Sequence, residues 1–547
     1  MNSKHILIAI LILGAVLRFW GLGAQEFYHD EGLYAFRSIG YLDYLQNDDQ
    51  STPIQWFAGS DSMPFWTSFS FHDAPPLFFI VQNIFFRIFG ESLFTARLPS
   101  VISGLLSIYL LYLISKKIFK KEIAVFFAPL LLSVSLVHVW ISRSSLLESF
   151  QIFLVLLSIY YFFRLLEKPV LNSLKDYLLF GLTLGLNFLT KYTGVFLVLV
   201  YGLYFLFFRK EIYKRRELYF ALALAAIMFL PVIVYNFYLY KITGHFDLQF
   251  SYLFSQETPE WRLSLGKLQD PFSEIFSNLQ LMYSIPFLLI FSVSVLHLIY
   301  KIFRLRGAKD SRESGILVFW LLNFIFITLI LVAAGSAFRF IALYAPVAAM
   351  IIALFLNDLF SRFSKEPFFK ILAAVFIIYE LFFVSDIFTS FPDFGIVKLG
   401  RYFNSEFRNF RSLAIPVSSN PHLNKIIKDN ALRIPESGKS FLIVYDGNVG
   451  LSPRLWLFTR RNFYHGIPAF SVDQFKNFLK AGGTEQYKDY DIYFVKASGN
   501  TYLNPLLSNP TAGEFELFLK NELGLSPAKM IYGYDNLLMF TVYKFSL

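Results

Sequence analysis

Residues 6–34 decide the fold: "ILIAILILGAVLRFWGLG" (6–23) runs through "AQEF" into "YHDEGLY" (28–34). The first part is an apolar stretch, broken only by Arg18, close to the length that crosses a bilayer as a helix. No Ala-x-Ala-like cleavage site follows it and many more apolar stretches do, so it reads as a retained span and not as a signal peptide. The second part sets two adjacent carboxylates, Asp30 and Glu31, beside His29 just beyond that span. Such a trio at a membrane edge asks for a chemical reason.

Composition narrows the answer. Of 547 residues, 56% are hydrophobic and only 16% charged, which lies outside the range of soluble globular chains and marks an integral membrane protein. The absence of cysteine excludes disulfides, thiolate-bound metal and cysteine nucleophiles. The net charge of +10 is spread along the chain and forms no single basic surface, so nucleic acid is not an expected partner.

Working outward, apolar stretches of about membrane length recur near 6–22, 95–115, 122–140, 148–164, 175–190, 193–208, 217–238, 281–300, 314–334, 338–358 and 367–388. They predict about eleven spans. Residues 75–90, "PPLFFIVQNIFFRIFG", are shorter and hold Gln82, Asn83 and Arg87, so they predict an interfacial helix. Alternate loops carry "KKIFKK" (116–121), "RKEIYKRR" (209–216), "KIFRLRGAKDSR" (301–312) and "SRFSKEPFFK" (361–370), whereas the intervening loops are poor in Lys and Arg. That bias predicts a cytoplasmic N-terminus and basic loops in the cell (inner or plasma) membrane. A long first loop, 23–94, and everything after about residue 390 then lie on the extracytoplasmic side.

The expected architecture is mainly α: a polytopic helical domain over 1–389 and a small soluble α/β domain over 390–547. In the latter, strand-like runs "FLIVYDG" (441–447) and "YDIYFVKA" (490–497) alternate with amphipathic helix patterns at 471–483 and 512–524.

The polar oddities gather on the external side. From Asp30 onward, Leu33, Phe36 and Ile39 recur at helical spacing, and Asp30, Tyr34, Arg37 and Tyr41 share another face, as in a helix lying flat on the membrane. Asp30 fits a helix N-cap, but capping accounts for one carboxylate and not for two beside a histidine. "FHDAPPLFF" (71–79) places His72 and Asp73 just before a Pro-Pro helix start. His29, Glu31 and His72 offer oxygen and imidazole ligands for a divalent metal, although their spacing matches no diagnostic metal motif and no cofactor is firmly implied. "SRSSLLESF" (142–150) supplies Arg143 and Glu148 at a span junction, and Lys191 and Arg339 stand as lone cations in external turns. Isolated cations at span ends serve either as interfacial anchors or as contacts for an anionic ligand. Acids that take a proton from a hydroxyl, with cations that stabilise a departing phosphate, suit transfer from a phosphate-linked donor.

Here the residues resemble a family. "HDEGLYAF" (29–36), Pro75-Pro76-Leu77, "GESLFTARLPSVISGLL" (90–106), "ISRSSLLESF" (141–150), "GLTLGLNFLTKYTGV" (181–195) and "FRFIALYAPVAAMI" (338–351) occur in an order similar to glycosyltransferase family 39. This family contains protein O-mannosyltransferases and lipid A aminoarabinose transferases. The resemblance implies a GT-C fold, a polyprenyl-phosphate-linked sugar donor (hexose or pentose), an inverting transfer on the external face, and a lipid, glycan or protein acceptor. By position it implies that Asp30 is the catalytic base and Glu31 its acidic neighbour. His72, Asp73, Arg143, Glu148, Lys191, Arg339 and Tyr34 are then the substrate-binding candidates. Ala74 stands where many bacterial members have Lys, so phosphate contact from that position would pass to His72 or Lys191. Two rival classes stand beside this reading. A transporter or flippase for lipid-linked glycans would place its charges near the bilayer midplane, often in repeated halves, and a surface scaffold would leave the paired acids unexplained.

Overall fold

In lipid a backbone must satisfy its own hydrogen bonds, in helices or in a closed barrel, and the described residues of the first two thirds form helices. The computed structural model describes residues 3–27, 30–43, 52–57, 60, 63–167, 173–258, 271–305, 311–335, 337–363, 367–386, 392–407, 440–482, 485, 487–505, 507 and 509–547. Every one of the eleven apolar stretches contains a helix. Among the described residues, six helices are long and apolar enough to cross a membrane: Leu93–Ile118, Leu147–Glu167, Arg216–Thr243, Ile285–Arg304, Arg312–Ala333 and Phe340–Arg362. A seventh candidate is the pair Ile123–Val134 and Leu136–Ser142, bent by 61°. The remaining four stretches hold helices of 15 to 19 residues. The protein is a multi-pass membrane protein.

Packing divides the chain into two compact units. The first comprises Met1–Leu22, Ser68–Val81 and Phe94–Thr389; the second comprises Gly23–Thr67, Gln82–Leu93 and Ser390–Leu547.

In the first unit, the bend and the buried charge explain each other. Ser135 leaves the helical conformation (φ −67°, ψ 119°), so the helix before it ends with free carbonyls. Arg18, fully buried, donates to Ser133 O at 3.1 Å and Leu132 O at 3.4 Å, and its guanidinium lies 2.7 Å from His138 Nδ1. Since arginine only donates, that imidazole nitrogen accepts. Arg143, just beyond the bent pair, in turn donates to Leu17 O and Arg18 O at 3.0 and 3.3 Å. Two buried arginines thus satisfy carbonyls at a helix break and a helix end, where lipid offers no water to do so. Elsewhere in this unit small residues set helix spacing. A Cβ on Gly181 would lie 2.2 Å from Ala221 O, and one on Gly185 would lie 2.7 Å from Met228 Cβ, so glycine lets Leu174–Phe188 approach Arg216–Thr243.

The second unit carries a five-stranded mixed sheet of order β2-β1-β3-β5-β4, from β1 (Ser440–Tyr445), β2 (Ala469–Ser471), β3 (Tyr490–Ala497), β4 (Lys529–Tyr532) and β5 (Leu538–Phe545). β1 pairs in parallel with β2 and β3, whereas β5 is antiparallel to β3 and β4. Helices Val472–Lys480 and Thr511–Asn521 cover one face through Val472, Phe475, Phe515 and Leu519. Helix Ile396–Glu406 and residues 455–467 cover the other through Leu399, Phe403, Leu457 and Phe458. Ser471 and Gln474 form a reciprocal capping box that starts the first of these helices. The expected α/β character of the C-terminal residues is therefore present, with β1 and β3 on the two strand-like runs.

Candidate active site

In the first unit the sequence-predicted residues converge around one carboxylate. Glu148 stands in the first turn of Leu147–Glu167, where a helix favours negative charge, and is almost fully buried. Its Oε1 lies 2.6 Å from Lys191 Nζ and 3.7 Å from Arg339 Nε. Both cations also lie over the Phe340 ring, Lys191 Nζ at 3.8 Å and the Arg339 guanidinium at 5.0 Å from its centre. One helical turn on, Gln151 Nε2 donates to Thr193 Oγ1 at 2.7 Å. The two cations that looked solitary in the sequence thus share Glu148 as a partner. The second oxygen of Glu148 is buried and receives no hydrogen bond among the described residues.

Tyr192, next to Lys191, links this group to the "FHDAPP" turn. Its hydroxyl donates to Asp247 Oδ2 at 2.6 Å, and Asn236 Nδ2 donates to the same oxygen at 2.9 Å. Asp247 also caps Leu248–Leu253 by accepting from the backbone N–H of Gln249 and Phe250. Burial pushes the Asp247 carboxyl up to about 6, against the lowering effect of these donated hydrogen bonds. The capped helix returns to the turn: Leu248 N–H donates to His72 O at 2.6 Å and Gln249 Nε2 to Asp73 O at 3.3 Å. His72 is fully buried, with Nδ1 3.1 Å from the Tyr235 hydroxyl. His72, Asp73, Glu148, Lys191 and Arg339 therefore belong to one continuous network. Arg143 is directed to the carbonyls at the end of the first helix. Tyr192, Tyr235, Asp247 and Phe340 were not singled out from the sequence; Asp247 had a cap-like position before "LQFSYL" as its only signal.

In the second unit, Asp30 occupies the N-cap position of helix Glu31–Gly40 but makes no side-chain capping hydrogen bond. Capping alone does not account for its side chain. Glu31 is 2% exposed, and Tyr34 and Arg37 are likewise buried. The expectation of a helix lying flat with Asp30, Tyr34, Arg37 and Tyr41 on a polar surface face is corrected here, because residues 450–464 cover that helix. Gly32 N–H donates to Ser452 Oγ at 2.8 Å, and the Tyr464 hydroxyl donates to Phe36 O at 2.8 Å. A Cβ on Gly32 would stand 2.3 Å from Ser452 O, and one on Gly40 would stand 2.4 Å from the Tyr464 ring. Tyr502 flanks Asp30: burial and then the Asp30 charge push its phenol upward. Gly32→Ala is accordingly expected to lower the stability of this unit by about 1–3 kcal/mol through overpacking, without removing any reactive group. A thermal-unfolding midpoint equal to that of the native protein would contradict the close approach.

The metal expectation finds no support in geometry. Among the described residues no three His, Asp or Glu side chains are grouped to hold an ion. His29 lies outside the described residues.

With the geometry in place, the chain can be set beside known proteins. Residues 73–235 match the family described as Dolichyl-phosphate-mannose-protein mannosyltransferase. Over 132 residues the chain is 30% identical to an undecaprenyl phosphate-alpha-4-amino-4-deoxy-L-arabinose arabinosyl transferase of Wigglesworthia glossinidia brevipalpis, a match covering 24% of this chain and 23% of that protein. Of that curated relative, the match thus spans about a quarter of the length. The structure of ArnT from Cupriavidus metallidurans bound to undecaprenyl phosphate superposes with a TM-score of 0.55 at 12% identity, covering 99% of this chain and 98% of ArnT. The fold is GT-C. Archaeal oligosaccharyltransferase AglB from Archaeoglobus fulgidus, in complex with an inhibitory peptide and a dolichol-phosphate, also gives 0.55, at 13% identity over 90% of this chain and 69% of AglB. The family 39 resemblance read from the motifs holds, and its GT-C fold extends over nearly the whole chain.

Proposed function

We propose that this GT-C chain is a membrane glycosyltransferase that moves a hexose or pentose from a polyprenyl-phosphate-linked donor to an acceptor lipid, glycan or protein on the extracytoplasmic face, with inversion. The observation that carries the reading is the buried Glu148 drawing Lys191 and Arg339 together, which gathers two cations at one place where a phosphate can be received. The undecaprenyl phosphate bound to ArnT and the dolichol-phosphate bound to AglB support a donor of that class.

The family resemblance assigns the roles in this reading. Asp30 accepts the proton as an acceptor hydroxyl attacks the anomeric carbon, and the bond from that carbon to the phosphate oxygen breaks. Lys191 and Arg339 stabilise the negative charge that gathers on the departing polyprenyl phosphate. Attack opposite the leaving group inverts the anomeric configuration. The uncommitted Glu148 oxygen is suited to accept from a sugar hydroxyl, since a buried acceptor left without a partner costs about 1–3 kcal/mol. Glu31 orients the acceptor, and His72 and Asp73 border the donor side. The test is a mass-spectrometric comparison of surface glycoconjugates with and without the protein: loss of one defined sugar supports the reading, and identical profiles count against it.

The orientation belongs to the same proposal. Basic residues crowd alternate loops, so residues 214–216 face the cytoplasm and the C-terminal sheet lies outside. Cysteines introduced singly by Arg215→Cys and Phe470→Cys are unambiguous reporters in a chain that has none. An impermeant thiol reagent on intact cells is expected to label position 470 and spare 215; the reverse pattern overturns the orientation.

A further inference from the structure

Helix Ile396–Glu406 has two unlike faces. Ile396, Leu399 and Phe403 enter the sheet core, whereas Lys398, Arg401, Tyr402 and Ser405, spaced at i, i+3, i+4 and i+7, form a second stripe, with Tyr402 also packed against the edge of that core. That stripe and β4, an edge strand of the sheet, bound an open cavity of about 510 Å3. From β4 come Lys529, Met530, Ile531 and Tyr532. The volume lies within the range of about 300–1,000 Å3 usual for small-molecule sites.

The charges of this groove are only partly spent. Lys398 pairs with Asp393 Oδ2 at 2.6 Å and donates to Tyr532 O at 2.7 Å, which occupies a carbonyl on the sheet edge. Arg401 and Lys529 are exposed, and their side chains have neither an ion pair nor a hydrogen bond among the described residues. Two uncommitted cations on opposite walls, with the Tyr402 hydroxyl alongside, match a doubly charged oxyanion better than a single carboxylate, whereas the Ser405 hydroxyl already donates to Tyr402 O at 2.7 Å. Tyr532 and Met530, 41% and 44% exposed, add apolar surface for whatever carries that anion.

We infer that the groove between helix Ile396–Glu406 and strand β4 is a binding site for a phosphate monoester, with Arg401 and Lys529 as its anion contacts. Both a phosphorylated saccharide and a phosphomonoester lipid headgroup present that chemistry.

The test uses the full chain carrying Ser405→Cys, a single thiol in the groove, in phosphatidylcholine nanodiscs. The rate of its modification by an impermeant maleimide is measured with glucosamine 1-phosphate, with glucosamine, and separately with phosphatidic acid added to the disc. Either phosphate source is expected to slow labelling, the sugar phosphate pointing to a saccharide and phosphatidic acid to the bilayer, and glucosamine is expected to have no effect. In the R401Q/K529Q background the half-protecting concentration is expected to rise by at least about tenfold, the scale of a lost charge-assisted contact. The same protection is expected in Asp30→Asn protein, because binding here does not require transfer. No protection by either phosphate, or protection unchanged in R401Q/K529Q, overturns the assignment.

Discussion

Asp30→Asn protein is expected to fold, to bind its donor and to transfer almost no sugar. A hydroxyl attacks an anomeric carbon poorly while it keeps its proton, and a positioned general base contributes on the order of 10² to 10⁴ in rate. Asparagine has nearly the same shape, still fits an N-cap position and cannot accept that proton. Stability should change little, because asparagine keeps the size of the side chain and an acceptor oxygen at the same place. The measurement is release of polyprenyl phosphate from a lipid-phosphate sugar by purified native and Asp30→Asn proteins, beside their unfolding midpoints. Near-native release would return Asp30 to a purely structural role and move the base to Glu31, Asp73 or Glu148.

Lys191→Gln is expected to have the second large effect, and it should strike both stability and donor affinity. Lys191 and Glu148 face each other at 2.6 Å with only 16% and 1% of their side chains exposed. Removing the lysine leaves Glu148 with Arg339 at 3.7 Å. Breaking one partner out of a buried pair costs on the order of 3–5 kcal/mol, much of it the penalty of the charge left behind. The double variant E148Q/K191Q separates the two roles. Its stability should recover in part, since no unpaired carboxylate remains although Arg339 loses Glu148, while donor affinity stays at least about tenfold lower for want of a phosphate contact. Native-like donor affinity in the double variant would leave the pair as a structural anchor alone.

Much of this could be read from the sequence, and the failures have physical reasons. The helices of the membrane region were legible because lipid dictates long apolar runs, and β1 and β3 because their runs are apolar and rich in branched or aromatic residues. The break at Ser135 was not, because 122–140 holds its apolar character across it and contains no Gly–Pro signal there. β2 spans three residues and β4 four, too short to show a period of two. At the site, each charged residue was visible as an anomaly on its own. Their pairing was not: Glu148 meets a lysine 43 positions away, and only the packed helices bring them together. Helix Glu31–Gly40 was legible as a helix, yet its polar face was assigned to a surface. The Ser452 hydroxyl that bonds Gly32 comes from 420 positions later, and nothing local to "HDEGLYAF" announces it.

The account rests on cleavage of a lipid-phosphate donor by the external machinery of this chain. The most direct measurement places purified protein in sealed vesicles with a polyprenyl-phosphate-linked sugar and an envelope extract as acceptor source, and follows two quantities together. One is free polyprenyl phosphate; the other is movement of intact donor across the bilayer. The native protein is expected to release polyprenyl phosphate in step with sugar appearing on an acceptor, and Asp30→Asn protein to release none, with no donor crossing in either case. Intact donor crossing the bilayer without release, equally in both proteins, would contradict the account and identify a flippase.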